Sequence, residues 1–239
     1  MVGRGTRLAE NKLMFTVYDY TDATRLFGEE FLVKARKPRV TNYDETHDEP
    51  PVIVVADGFE AEISHAGRYV VADESGRARR VSVEEYKQGL AHRLIANIAT
   101  LDEFRAKWIN PADRRGMIQD LVKSGYSPEI VRRVENMTEY DLYDVLADLA
   151  YGVAPHKRVV RAFSFSYKQR SWLDAMPERT KAVILAIAAQ FGREGTEVFE
   201  NPQLFNVATI RAAGGLDALK WNGGPAELIS ETKRRLFAA

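Results

Sequence analysis

The sequence contains no cysteine. That absence removes disulfides, thiolate catalysis and zinc–thiolate sites together, and it fits a reducing compartment. Neither sign of charge is in excess, with 34 Lys and Arg against 34 Asp and Glu, so any contact with nucleic acid has to come from a local patch. Long hydrophobic runs are missing too: the longest, AVILAIAA at 182–189, is far shorter than the ~20 residues of a membrane-spanning helix and reads as a buried helix. Histidine is scarce. His47, His65, His92 and His156 are widely separated and no pair has the i, i+4 spacing of a helical metal site, so no metal site is expected. The first charges, Arg4 and Arg7, are followed by Glu10, Asn11 and Lys12 and not by an apolar stretch, so the expected location is cytoplasmic.

The 239 residues are 45% hydrophobic and 28% charged, which predicts a folded globular chain with a sizeable core. Residues 12–20, KLMFTVYDY, have the β-branched and aromatic character of a short strand, and TDATRLFGEEFL after them is helical or turn-like. Residues 34–51, KARKPRVTNYDETHDEPP, are polar and rich in proline, which predicts an exposed linker and a domain boundary. From 52 to 83 short β-branched runs alternate with Asp-Gly and Glu-Ser-Gly-Arg turn signals, the pattern of a small antiparallel meander.

The rest of the chain reads as helical. Ser82 with Glu85 and Thr100 with Glu103 have capping-box spacing, and further helix starts are predicted at Asn110-Pro111, Ser127-Pro128 and Thr138. Gly125 and Gly152 mark stops. Beyond residue 155 three or four more helices are expected, one of them carrying Val183, Leu185, Ile187 and Phe191.

Chemistry is concentrated at the start. Gly3, Arg4 and Arg7 match G-R-x-x-R, whose spacing puts two planar guanidinium groups on one face of a helix or tight turn, suited to phosphate oxygens and to charge on a γ-phosphoryl group in transit. DETH at 44–47 spells a Mg²⁺-binding acidic box by letter. Such a box needs an apolar strand before it, whereas Pro38 and four basic residues precede Asp44, so Asp44, Glu45 and His47 read as solvated linker residues. Asp73, Glu85 and Lys87 loosely imitate a metal-dependent nuclease set, but Glu85 is better explained as the capping partner of Ser82. The stretch HKRVVRAFSFSYKQR at 156–170 sets Lys157, Arg158, Arg161, Lys168 and Arg170 around Phe163, Phe165 and Tyr167. It suits contact with DNA phosphates or a partner, or else a helix with its aromatic side in the core and its basic side in water; amphipathicity favours the latter.

The opening stretch resembles motif VI of superfamily 2 helicases and translocases, Q-x-x-G-R-x-x-R, and GRGTRL followed by FTVYDYTDA is similar to the version in type I restriction enzyme R subunits. By that resemblance the chain is expected to begin inside the motif, since the glutamine would fall before Met1. Residues 104–127, 140–152 and 199–237 also resemble the C-terminal region of EcoEI-like R subunits. The resemblance implies a mainly α fold with a small antiparallel β module. Residues 1–33 would be the end of the second RecA-like motor lobe, 34–51 a linker, 52–83 the β module and 84–239 a helical assembly domain.

It further implies that the intact subunit binds ATP and Mg²⁺, translocates double-stranded DNA and cleaves it as an endonuclease. Its partners would be the methylation and specificity subunits. Gly3, Arg4 and Arg7 would belong to the ATP site, with Arg4 and Arg7 as γ-phosphate arginine fingers. No G-x-x-x-x-G-K-[ST] loop occurs in this sequence, so the chain alone is expected to be inactive and to hold no cofactor. Two other readings share the motif or the helices: the C-terminal part of another superfamily 2 DNA helicase, and a free-standing helical interaction module.

Overall fold

The computed structural model describes residues 51–64, 67–74 and 77–238. It begins with four strands, β1 (Val52–Ala56), β2 (Phe59–Ser64), β3 (Gly67–Glu74) and β4 (Arg77–Ser82), joined in sequence order as an antiparallel meander. Asp57 and Gly58 both take positive φ, +52° and +81°, the two-residue turn whose twist matches a hairpin. The register sets Val54 opposite Ala61, Ala61 opposite Val70 and Val70 opposite Val81, which gathers small and β-branched side chains on one face.

Ten α-helices follow among the described residues: α1 (Val83–Asn97), α2 (Leu101–Ile109), α3 (Pro111–Lys123), α4 (Pro128–Val134), α5 (Leu142–Tyr151), α6 (Arg158–Lys168), α7 (Arg170–Asp174), α8 (Glu178–Glu194), α9 (Ala208–Ala213) and α10 (Pro225–Phe237). Four starts sit where the sequence puts them. The side-chain oxygens of Ser82, Thr100, Asn110 and Ser127 accept from the backbone N–H groups of Glu85, Glu103, Ala112 and Ile130. Gly152 ends α5 in the left-handed conformation, φ +65°.

Two expectations need correction. The start predicted at Thr138 lies at Asp141, whose carboxylate accepts from Tyr143 N–H, while Tyr140 just before it forms a β-bridge with Lys157 and stays extended. Beyond residue 155 there are five α-helices and three 3₁₀ turns (Thr196–Glu200, Pro202–Asn206, Gly215–Leu219), not three or four helices. Glycines at positive φ, among them Gly195, Gly214 and Gly224, together with Pro202 divide the segment.

The sheet and helices share one core. α1 turns Tyr86, Leu90 and Leu94 inward at four-residue spacing, beside Ala61 and Val70 of the sheet. Ser127 fastens the β1–β2 turn to α4: its N–H donates to Tyr86 Oη at 2.6 Å and its hydroxyl to Asp57 Oδ2 at 2.6 Å. Further along, aromatic rings run through the helical layer. Phe104 of α2 stacks on Tyr143 of α5 with centroids 5.3 Å apart, Tyr143 meets Phe237 of α10 at 4.6 Å, and Phe237 meets Phe191 of α8 at 5.6 Å. The run at 182–189 lies in α8, with Val183, Ile184, Ile187 and Ala188 buried. The described residues from 51 onward form one compact unit.

Candidate partner interface

Gly3, Arg4 and Arg7 lie outside the described residues, as do Asp44, Glu45, His47 and His65. Glu85 sits in the first turn of α1, its N–H on Ser82, and Lys87 pairs with Glu84 and Glu135. Among the described residues no group of three His, Asp or Glu is placed to hold a metal ion. The remaining candidate residues are on or beside α6.

A buried polar network holds the helices around α6 in register. The Asp141 carboxylate accepts from Thr196 N–H at 2.8 Å and from Thr196 Oγ1 at 2.9 Å; the same hydroxyl oxygen accepts from Trp108 Nε1 at 3.1 Å. Arg114 lies behind Trp108, donates to the Trp108 carbonyl at 3.1 Å and pairs with Glu200, which also takes Lys233 at 3.1 Å. Burial pulls the Lys233 ammonium below the usual lysine range, and Glu200 partly restores it. A low-dielectric interior makes such a network costly to leave half-satisfied. It fixes α2, α3, α5 and α10 relative to the 196–200 turn.

Arg161 belongs to this interior and not to a basic surface. It is 2% exposed and its Nε and Nη2 donate to Asp144 Oδ2 and Oδ1 at 3.3 and 2.5 Å, while Nη1 donates to the Leu236 carbonyl at 2.8 Å. Its guanidinium also lies 5.3 Å from the Tyr143 ring centroid and 5.5 Å from that of Phe237. Burial pushes the Asp144 carboxyl up, with Arg161 and the His156 N–H opposing it. One guanidinium therefore joins α5, α6 and α10.

Placing Arg161 inward sets the rest of α6. Phe165, one turn on, is buried, and Ala162 packs on Gly192 of α8, where an added Cβ would come within 3.1 Å of the Ala162 Cβ. The opposite side must then carry Val159, Phe163 and Tyr167, four residues apart, with Val160 beside them. These are exposed by 66%, 79%, 79% and 52% respectively. The aromatic side of α6 thus does not enter the core as amphipathicity suggests: Phe165 does, while Phe163 and Tyr167 face water. The helix is apolar on two sides, and the second has no cover among the described residues.

The basic residues distribute around it. Lys157 is exposed and pairs with Glu139; Arg158 is half-buried and donates to the Tyr140 carbonyl at 3.0 Å. Lys168 is exposed without an ion-pair partner among the described residues, and Arg170 is exposed with Asp174 Oδ2 at 3.4 Å. A groove of about 390 Å³ adjoins the stripe between α6, α7 and α8, lined by Phe163, Tyr167, Leu173 and Leu185, with Asp174 and Lys181 at its edge. Sequence reading found the stretch and its charges but not which side faces out. The missing signal was the Arg161–Asp144 pair, 17 residues apart.

Comparison with known proteins identifies the family of the helical region. The family model for the C-terminal region of the EcoEI R protein matches residues 84–236, and the chain belongs to that family. The type I restriction enzyme EcoAI endonuclease subunit of Escherichia coli is 22% identical over an alignment of 288 residues, which covers 99% of this chain and 35% of that protein. The chain accordingly spans about a third of that relative's length. No solved structure matches it. Residues 84–236 are thus an R-protein C-terminal region of the EcoEI family.

Proposed function

We propose that this chain attaches the ATP-driven motor and nuclease of the R subunit to the methyltransferase core formed by the methylation and specificity subunits, in the cytoplasm. The observation that carries the reading is the outer face of α6, an apolar stripe on a family member whose matched region is helical and rigidly cross-braced. Monomeric proteins seldom leave such a stripe in water unless a partner covers it. Arg4 and Arg7, with Gly3, would serve the intact subunit by engaging the γ-phosphate of Mg²⁺-bound ATP, and double-stranded DNA would be handled by the intact subunit. Nucleotide chemistry is not assigned to this chain alone, because its sequence has no phosphate-binding loop.

The test is co-purification of the 239-residue chain with the methylation and specificity subunits. A stable complex is the expected outcome, and a folded chain that fails to bind them removes the assembly role. ATP hydrolysis by the chain alone, abolished by Arg4→Ala, would contradict the reading that this chain by itself carries no nucleotide chemistry.

A further inference from the structure

The outer face of α6 also indicates what kind of segment would cover it. Val159, Phe163 and Tyr167 repeat every four residues, so they form a ridge along the helix axis, about 12 Å from first to last at 1.5 Å per residue. A ridge of that shape fits the groove beside a second helix. At roughly 200 Å² per aromatic side chain, Phe163 and Tyr167 alone leave about 300 Å² in water. That is a fair share of the ~800 Å² per partner of a standard interface, and it is the aromatic kind of surface that supplies anchors.

Charge narrows the choice of occupant. Lys168 and Arg170 stand at the far end of the ridge and Lys157 at the near end. A second copy of this chain would bring the same cations against them. A DNA backbone would meet Glu139 and Asp174, which already face Lys157, Arg170 and Lys181 on this surface. A protein helix, unlike a uniformly charged DNA backbone or a second copy, can set its few acidic residues against Lys168 and Arg170 and keep them away from Glu139 and Asp174. Resting on the assembly role above, we propose that the outer face of α6 and its adjoining groove are the docking site for an amphipathic helix of the methyltransferase core. That helix carries apolar residues at three- and four-residue spacing, flanked by Asp or Glu that pair with Lys168 and Arg170.

The experiment measures binding of the 239-residue chain to the purified complex of methylation and specificity subunits by interferometry at low and high salt. Phe163→Ala with Tyr167→Ala, both in exposed positions, is expected to leave the melting temperature unchanged and weaken binding at least about 30-fold. Lys168→Glu with Arg170→Glu is expected to slow association and to flatten its salt dependence. If the unmodified chain does not bind the core, the assembly role fails and this site with it. If it binds and the aromatic double variant binds equally well, the assembly role stands and the docking site is wrong. Loss in the double variant of duplex DNA binding, or of self-association in sedimentation, with core binding intact, would overturn the proposal in favour of those occupants.

Discussion

Arg161 gives the sharpest test of how this region is built, because the sequence suggests a surface cation and the structure makes it an internal brace. Replacing it with Met keeps the length and apolar stem but leaves the Asp144 carboxylate, itself 1% exposed, with no counter-charge. Breaking one side of a buried pair costs about 3–5 kcal/mol, since the remaining charge stays out of water. The Leu236 carbonyl also loses its donor, and the Tyr143 and Phe237 rings lose their cation. For a unit of this size 1 kcal/mol moves the melting temperature by about 2–4 °C, so the expected fall is roughly 6–20 °C. Far-ultraviolet circular dichroism during a thermal ramp reads it. Lys168→Met is the control and is expected to stay within about 0.5 kcal/mol of the unmodified chain. Adding Asp144→Leu to Arg161→Met removes the stranded charge and is expected to recover part of the loss. A fall below about 3 °C in Arg161→Met would refute the brace.

Other perturbations probe different parts of the fold. Thr196→Val removes the hydroxyl between Asp141 and Trp108 and leaves both partners buried and underbonded, a loss of about 1–3 kcal/mol in urea denaturation. Gly192→Leu would drive a side chain into Ala162 and the α6 backbone; a loss of about 1–3 kcal/mol is expected, and an unchanged melting curve would mean that α6 and α8 are not so closely packed. Ser127→Ala removes the cap of α4 and the bond to Asp57 together, so about 1–2 kcal/mol is expected, with hydrogen exchange rising in both the β1–β2 hairpin and α4.

Helix starts were legible where the cap is a local affair. Ser82, Thr100, Asn110 and Ser127 each satisfy amides two or three residues away, and short-range spacing in the sequence carries all the information needed. Thr138 misled because the true cap, Asp141, is fixed by Thr196, 55 residues on. The same limit hid the candidate interface. Residues 156–170 carry apolar and basic side chains on alternating sides, so more than one rotation of the helix about its axis satisfies periodicity. Only Asp144 on α5 and Leu236 on α10 select the rotation that buries Arg161 and turns Phe163 outward. Arg4 and Arg7 were legible as a motif, and they lie outside the described residues.

The Leu236 and Phe237 contacts have a consequence for synthesis. Arg161 meets its carbonyl acceptor 75 residues later, and Tyr143 meets Phe237 94 residues later. At ~5–20 residues per second, a ribosome needs roughly 4 to 20 seconds to supply those partners. During that interval Arg161 can pair with Asp144 but lacks its carbonyl acceptor, and the Tyr143 ring lacks its Phe237 cover. This is the window in which a chaperone would have most to bind, and in which slowing translation of the last helix would most reduce the yield of folded subunit.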